Sequence, residues 1–125
     1  PLYSSAASDV YKRQEKNTQP YFCQSDFDGN GKNDYAILLR KDMSTVCIII
    51  FSTAEVGYSY QVLDCFEKTK GSLDIVLSTE PKGEWSSIDE TINVPNDGIL
   101  VESLEESHSY SYYWKNNSFS KYLYD

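Results

Sequence analysis

One stretch of nine residues constrains this chain more than any other, because it combines closely spaced acidic side chains with glycines and leads directly into an apolar strand. The stretch, residues 26–34, has the sequence DFDGNGKND and is followed by YAILL. Oxygen-bearing side chains stand at its first, third, fifth and ninth positions, which are Asp26, Asp28, Asn30 and Asp34. At the seventh position, Lys32 can offer its backbone carbonyl. Because Ca²⁺ takes about six to eight oxygen ligands at roughly 2.3–2.6 Å, this spacing predicts a calcium-binding loop.

The sixth and twelfth positions decide which kind of calcium loop this is. Gly31, at position six, permits the sharp turn that brings the chain back toward the ion. An EF-hand needs a bidentate Glu at position twelve and a helix on each side. Here position twelve is Ile37 and the flanking residues have the pattern of strands, so an EF-hand is excluded.

A metal-free hairpin is the alternative interpretation of the same loop, with its Asp and Asn side chains capping backbone N–H groups. Repulsion among three carboxylates within nine residues favours a bound cation over that alternative. The neutral Asn30 predicts a weak site, with a dissociation constant of roughly 10⁻⁴–10⁻³ M, the range of extracellular calcium modules.

The segment from Ser25 to Ala36, SDFDGNGKNDYA, resembles the calcium loops of FG-GAP and VCBS-type β repeats, the kind found in integrin propellers. It is more closely similar to a DFxGxGxxDYA signature of small exported bacterial β proteins. Those proteins also tend to end in a tyrosine-rich strand, a turn and a short aromatic strand, which residues 112–119, YYWKNNSF, resemble. The resemblance implies an all-β fold, a structural Ca²⁺ in the loop and a periplasmic or extracellular location.

The first fourteen residues do not have the character of a natural protein segment. Residues 4–14, SSAASDVYKRQ, can be back-translated codon by codon into a transposase-type sequencing-library adapter. We therefore expect residues 1–14 to be an artefactual, disordered tail. Residues 15–125 are then expected to form a single β domain of bacterial origin, truncated at its N-terminus.

The rest of the chain has the pattern of antiparallel β structure, because runs rich in Val, Ile, Tyr and Phe alternate with clusters of Gly, Asn, Asp, Ser and Pro. Strands are predicted near residues 20–25, 34–41, 45–52, 59–66, 73–78, 90–94, 98–104, 109–115 and 119–124. Short connections predict that strands adjacent in sequence are adjacent in the sheet. A loop containing Pro81, Gly83 and Trp85 is expected between the fifth and sixth of these strands.

The most apolar segment sets the expected architecture. Residues 46–51, VCIIIF, are apolar on both faces, so their strand is expected to be central and covered on both sides. The predicted fold is an all-β, single-domain antiparallel meander that forms a small sandwich or open barrel of about eight or nine short strands.

Composition excludes some partners. The chain has 11 basic and 19 acidic residues, a formal net charge of −8 and no cluster of Lys or Arg, so binding to nucleic acid is disfavoured. The apolar run at 46–51 is far shorter than the roughly 20 residues that cross a bilayer, so no membrane span is expected. A monomer is expected.

Cysteine and histidine usage gives no sign of a zinc site or of a catalytic centre. The three cysteines form no C-x-x-C pair, and His108 is the only histidine. Cys47 is expected to be a buried small hydrophobe, whereas Cys23 and Cys65 can pair in an oxidising compartment. No G-x-S-x-G elbow accompanies His108, so an exposed, non-catalytic histidine is expected.

The eleven tyrosines suggest a second candidate site. Their simplest role is β-propensity and core packing. The alternative is an aromatic recognition surface, since Tyr and Trp are enriched at protein-binding hot spots. The candidates for that surface are Tyr58, Tyr60, Trp85, Tyr110 and Tyr112.

These observations predict a non-enzymatic, exported β domain with a structural Ca²⁺ loop that acts in recognition of a protein partner. One alternative is an inhibitor or immunity-type protein that binds a partner enzyme. Another is a small hydrolase, because any two of the many acidic residues can converge into a carboxylate pair.

Overall fold

A computed structural model describes residues 21–53, 55–67, 75–103 and 108–124. Within these ranges the chain forms ten β-strands, every pair of which is antiparallel, and no helix. The strands are β1 (Phe22–Ser25), β2 (Asp34–Arg40), β3 (Thr45–Thr53), β4 (Tyr58–Glu67), β5 (Ile75–Glu80), β6 (Gly83–Ser86), β7 (Thr91–Val94), β8 (Gly98–Ser103), β9 (His108–Lys115) and β10 (Ser118–Leu123). The predicted all-β fold is confirmed. The expected tail at residues 1–14 lies outside the described residues.

Two four-stranded sheets and one hairpin make up the fold. The first sheet has the order β1-β2-β3-β4, the second has the order β10-β9-β8-β5, and β6 pairs only with β7. The inner faces of the two four-stranded sheets share one apolar core. The sheets do not close into a barrel, so of the two predicted shapes the small sandwich is the one observed.

The order of the second sheet corrects one prediction. β5 pairs with β8, from Ile75 opposite Ser103 to Glu80 opposite Gly98, and not with a strand adjacent to it in sequence. The reason is that the intervening residues, predicted to be a loop around Trp85, form β6 and then pair with β7 as a separate hairpin. Because this hairpin leaves the sheet, β8 can return beside β5.

The central position predicted for residues 46–51 agrees with the structure. β3 lies between β2 and β4, and alternate side chains of this strand enter two different apolar clusters. Val46, Ile48 and Ile50 belong to the inter-sheet core, and Cys47, Ile49 and Phe51 belong to a cluster on the opposite face of the first sheet. Fully burying each large apolar side chain contributes roughly 1.5–3 kcal/mol, so β3 is the strand on which the first sheet depends most.

The β6–β7 hairpin packs on the second sheet through Trp85 and Val94, which form a buried cluster with Tyr122 of β10. The Tyr122 hydroxyl donates to the carbonyl of Glu90 at 2.9 Å, and the Trp85 indole N–H donates to the carbonyl of Pro81 at 2.8 Å. Gly98 lies against the same cluster, since a Cβ there would stand 2.3 Å from the Trp85 ring. The hairpin is therefore an integral part of the core.

The disulfide pairing differs from the prediction. Cys47 of β3 and Cys65 of β4 lie directly opposite each other, with Cα atoms 4.1 Å apart, and form a disulfide. Cys23 is a buried free thiol. The predicted Cys23–Cys65 pair is wrong because β2 and β3 separate β1 from β4 in the first sheet.

A search of the described residues for a helix long and apolar enough to span a membrane finds none.

Candidate metal centre

The predicted calcium loop connects β1 to β2. The last pair of those two strands is Ser25 opposite Asp34, so the residues between them form the closing loop of a hairpin. The Phe27 side chain is fully buried in the inter-sheet core, although its two neighbours in the chain are acidic. Because the Phe27 side chain packs in the core, the backbone on either side of it, which carries Asp26 and Asp28, is fixed at the protein surface.

Backbone N–H groups inside the loop point at its acidic side chains. Asp26 accepts from the amide of Asn30 at 3.0 Å and from that of Gly31 at 2.7 Å. Asp28 accepts from the amide of Asn30 at 3.2 Å, and the Asn30 side chain accepts from the amide of Lys32 at 2.8 Å. Gly31 has a φ of +87°, a value that L side chains rarely adopt, and this conformation allows the chain to wind so tightly.

Three carboxylates meet in this loop. One oxygen from each of Asp26, Asp28 and Asp34 lies within 4.8 Å of the others. Two oxygens that bind the same Ca²⁺ at its usual contact distance are separated by at most about 5 Å. The three side chains therefore meet the distance requirement for binding one such cation.

Asp34 is the residue whose environment is least like that of an ordinary aspartate. Its side chain is 1 % exposed. One carboxylate oxygen, Oδ2, accepts from the amide of Phe27 at 3.0 Å and from that of Asp28 at 3.4 Å. The other, Oδ1, is buried and accepts no hydrogen bond from the described part of the chain. A buried, unpartnered carboxylate oxygen is costly and calls for a compensating group, such as a cation.

Burial and the repulsion between neighbouring carboxylates raise the pKa values of Asp34 and Asp28. Burial, and next the negative charge of Asp28, raise the pKa of Asp34 to about 6, while hydrogen bonds from the Phe27 and Asp28 amides oppose that rise. Burial also raises the pKa of Asp28, and the neighbouring Asp26 adds to the shift. Without a cation, the loop therefore disfavours full ionisation.

The structure brings together three of the five predicted ligands, namely Asp26, Asp28 and Asp34. Asn30 and Lys32 lie at the exposed tip of the loop, where the Lys32 amide donates to the Asn30 side chain.

A second element that supports the loop was missed in the sequence. The Ser25 hydroxyl donates to Asp97 at 2.8 Å, and Asp97 also accepts from the backbone amide of Lys82 at 2.9 Å. Gly29 lies against the side chain of Asn96, so close that a Cβ would stand 2.9 Å from the Asn96 amide oxygen. The sequence P-N-D-G at 95–98 indicates a turn, but nothing in it shows that this turn lies against a loop some seventy residues earlier.

The five predicted aromatic recognition residues do not form one surface. Tyr58 and Tyr60 are 42 % and 49 % exposed on β4. Trp85, Tyr110 and Tyr112 are at most 6 % exposed. Trp85 packs under the β6–β7 hairpin, while Tyr110 and Tyr112 face the inter-sheet core, where β9 is covered by the first sheet. These three residues act in packing.

His108 is half-buried at the start of β9 rather than exposed, with its ring 5.7 Å from that of Tyr110. It lines a cleft of about 320 Å³ together with Lys121, Phe66 and Glu67. The ammonium of Lys121 lies 4.0 Å from the centre of the Tyr110 ring and 3.9 Å from Asp64. The Lys121 ammonium is therefore already in contact with an aromatic ring and a carboxylate.

Comparison of the chain with protein-family models, with curated proteins and with solved structures finds no match.

Proposed function

We propose that the loop at residues 26–34 binds one Ca²⁺ as a structural ion, and that the domain is a non-enzymatic, exported recognition module. The observation that supports the ion most strongly is the buried, unpartnered Oδ1 of Asp34 beside the carboxylates of Asp26 and Asp28. A divalent cation at this point offsets both the lost hydration of Asp34 and the repulsion among the three groups.

The ion has a structural role because its ligands connect separate parts of the fold. Asp34 is the first residue of β2, and Asp26 directly follows β1. The loop also lies on the 95–97 turn, which precedes β8 of the second sheet. When bound, Ca²⁺ supplies positive charge and fixes these carboxylates, so it strengthens the junction between the two sheets.

Two features support an exported location. A low-affinity calcium loop is typical of extracellular modules, since Ca²⁺ sites of roughly 10⁻⁴–10⁻³ M affinity serve there. The Cys47–Cys65 disulfide is also typical of oxidising compartments.

The recognition role is supported by the edge of the first sheet. Three large side chains on β4, namely Tyr58, Tyr60 and Val62, are each 42–49 % exposed. Among the described strands β4 is the last of its sheet, and its exposed side chains include two tyrosines, a residue type enriched at protein-binding hot spots. The inhibitor-type alternative uses the same surface and differs only in the identity of the partner.

Thermal unfolding with and without the ion tests the calcium part of the proposal. At about 100 times the dissociation constant, Ca²⁺ should raise the free energy of unfolding by roughly 2.7 kcal/mol. Melting curves that superimpose in about 10–100 mM Ca²⁺, which is about 100 times the expected dissociation constant, and in chelator would rule the site out.

Affinity capture from a bacterial cell-envelope fraction tests the recognition part. The wild-type domain should retain a protein in stoichiometric amount, and Tyr60→Ala should retain much less of it. A domain that captures nothing but turns over a hydrolase substrate would favour the enzymatic alternative.

A further inference from the structure

A second groove lies at the end of the sandwich that carries the calcium loop, and nothing in the proposed function uses it. It runs between the end of β7 with the turn that follows it and the tight turn between β9 and β10. Its volume of about 600 Å³ is within the range of roughly 300–1,000 Å³ that small-molecule sites occupy. We call it the asparagine groove, after four lining residues: Asn93, Asn96, Asn116 and Asn117.

Two aromatic residues line this groove, Tyr113 and Trp114, and each ring packs against another aromatic ring, although as neighbours in β9 they lie on opposite faces of the sheet. The ring of Tyr113 meets that of the buried Trp85 edge-on at a centroid distance of 5.7 Å. The ring of Trp114 meets that of Phe119 in the same manner at 4.9 Å. Both Tyr113 and Trp114 are only half-buried, so each keeps part of its surface open. A ligand that stacks on either ring loses little side-chain entropy on binding, because the rings are already ordered.

The polar groups of the groove are predominantly neutral amides. Each Asn side chain offers one carbonyl acceptor and two N–H donors. Asn116 and Asn117 have φ values of 53° and 63°, so the turn that carries them has a fixed, left-handed backbone. The groove therefore combines donors and acceptors on a rigid support.

The charged residues that line the groove limit the class of ligand that it can bind. Among the residues that the structure describes, Lys115 is the only charged one that lines the groove, and none of them is a carboxylate. A single exposed ammonium on a chain of net charge −8 favours neither a polyanion nor a cationic ligand. The chemistry that matches an ordered aromatic ring beside amide side chains is a neutral molecule with an apolar C–H face and many hydroxyl groups.

We propose that the asparagine groove binds a neutral saccharide, with a sugar ring stacked on Trp114 or Tyr113 and its hydroxyls bonded to the surrounding amides. This inference goes beyond the protein-recognition role proposed above, because it concerns a different surface and a different class of ligand. It does not depend on Ca²⁺ occupying the loop, although Asn96 contacts both the groove and Gly29 of that loop.

The test is isothermal calorimetry of the full chain with four neutral tetrasaccharides: cellotetraose, chitotetraose, maltotetraose and mannotetraose. At least one should bind saturably with a dissociation constant of about 1 mM or below. Trp114→Ala should abolish the signal. Asn93→Ala and Asn116→Gly should each weaken the affinity about fivefold to tenfold, the effect of one lost hydrogen bond. Glycine at 116 removes the amide while it retains the positive φ.

A matched control separates the groove from the rest of the surface. Gln61→Ala removes an exposed amide from β4, so this variant should bind the saccharide as the wild type does. Melting temperatures of all variants, measured in Ca²⁺ and in chelator, show whether the fold and the calcium effect are intact.

Three outcomes would overturn the inference. They are the absence of saturable binding to any of the four saccharides at about 10 mM, binding that survives all three groove substitutions, and saturable binding of a neutral tetrapeptide alone. In each case, a melting temperature that still rises with Ca²⁺ would continue to support the proposed calcium site. Failure of the saccharide proposal can therefore be distinguished from failure of the calcium proposal.

Discussion

The hydroxyl of Ser25 donates a hydrogen bond to the carboxylate of Asp97 across 2.8 Å, although the two residues are 72 positions apart in the sequence. Ser25 is the last residue of β1 and precedes the loop at residues 26–34, whereas Asp97 lies in the turn that precedes β8. The same carboxylate accepts from the amide of Lys82 just after β5. Asp97 thus joins the 26–34 loop to two strands of the second sheet.

Replacing Asp97 should therefore weaken both the fold and the ion site. Asp97→Ala leaves the Ser25 hydroxyl and the Lys82 amide without their acceptor, which costs about 1–3 kcal/mol of unfolding free energy. Because the loop loses its contact with the 95–97 turn, its Ca²⁺ affinity should also fall. Denaturant titrations with and without Ca²⁺ measure both effects. Asp89→Ala, which removes an exposed aspartate between β6 and β7, is the matched control, and equal behaviour of the two variants would contradict the anchoring role.

Asp34→Asn should have opposite effects with and without the ion. In chelator at neutral pH the amide retains an oxygen for the Phe27 N–H and removes a buried charge, so the variant should be more stable than wild type by on the order of 1 kcal/mol. In saturating Ca²⁺ the variant should be the less stable protein, because it has lost a charged ligand. Melting temperatures in both buffers measure the reversal. A variant that is less stable than wild type in both buffers would contradict the buried-charge explanation.

The raised pKa of Asp34, about 6, predicts how pH acts on the loop. In chelator the folded state holds the Asp34 proton more tightly than the unfolded state, whose pKa is near 3.8. The stabilising contribution of this group is therefore fully present below pH 3.8 and is lost as the pH rises through about 6. Ca²⁺ needs the ionised carboxylate, so its affinity should fall as the pH drops below about 6.

Calcium titrations between pH 5 and pH 7.5 measure that dependence, with the wild type compared with Asp34→Asn. The affinity of the wild type should fall about tenfold for each pH unit below about 6, and the residual affinity of the variant should change less. A wild-type affinity that is constant across this range would show that Asp34 does not bind the ion.

Thiol counting tests the cysteine assignment. Burial raises the pKa of the Cys23 thiol to about 12, so the folded protein should not react with a thiol reagent at neutral pH. Unfolding without a reductant should expose one thiol, because Cys47 and Cys65 are bonded to each other, and unfolding with a reductant should expose three. Three thiols in the absence of reductant would show that the disulfide does not form in solution.

Local patterns were sufficient to predict nine of the ten strands and the position of the loop. The uninterrupted apolar run in the segment that forms β3 identified a buried central strand, and the spacing from Asp26 to Asp34 identified three carboxylates that the fold brings together. Both signals lie within a few neighbouring residues, where backbone geometry alone fixes which side chains share a face.

Contacts between residues far apart in the sequence could not be predicted from such local patterns. The Cys47–Cys65 disulfide depends on an irregularity beside Ile48 and Ile49, which shifts the β3–β4 register, and no sequence signal marks that shift. Trp85 was taken for a loop residue because its strand is only four residues long and has a single buried side chain. The role of Asp97 depends on two distant segments meeting, which only the order of strands in the sandwich determines.

A calorimetric titration of the full chain with Ca²⁺ at neutral pH, beside the variant Asp28→Asn, tests the proposed ion site most directly. Asp28 is the suitable change because its carboxylate belongs to the cluster but its backbone lies in a loop, so the fold should tolerate the amide. One Ca²⁺ per chain should bind with a dissociation constant of roughly 10⁻⁴–10⁻³ M, and the variant should bind at least tenfold more weakly. Heats that never saturate, or equal binding by both proteins, would contradict a calcium site at residues 26–34.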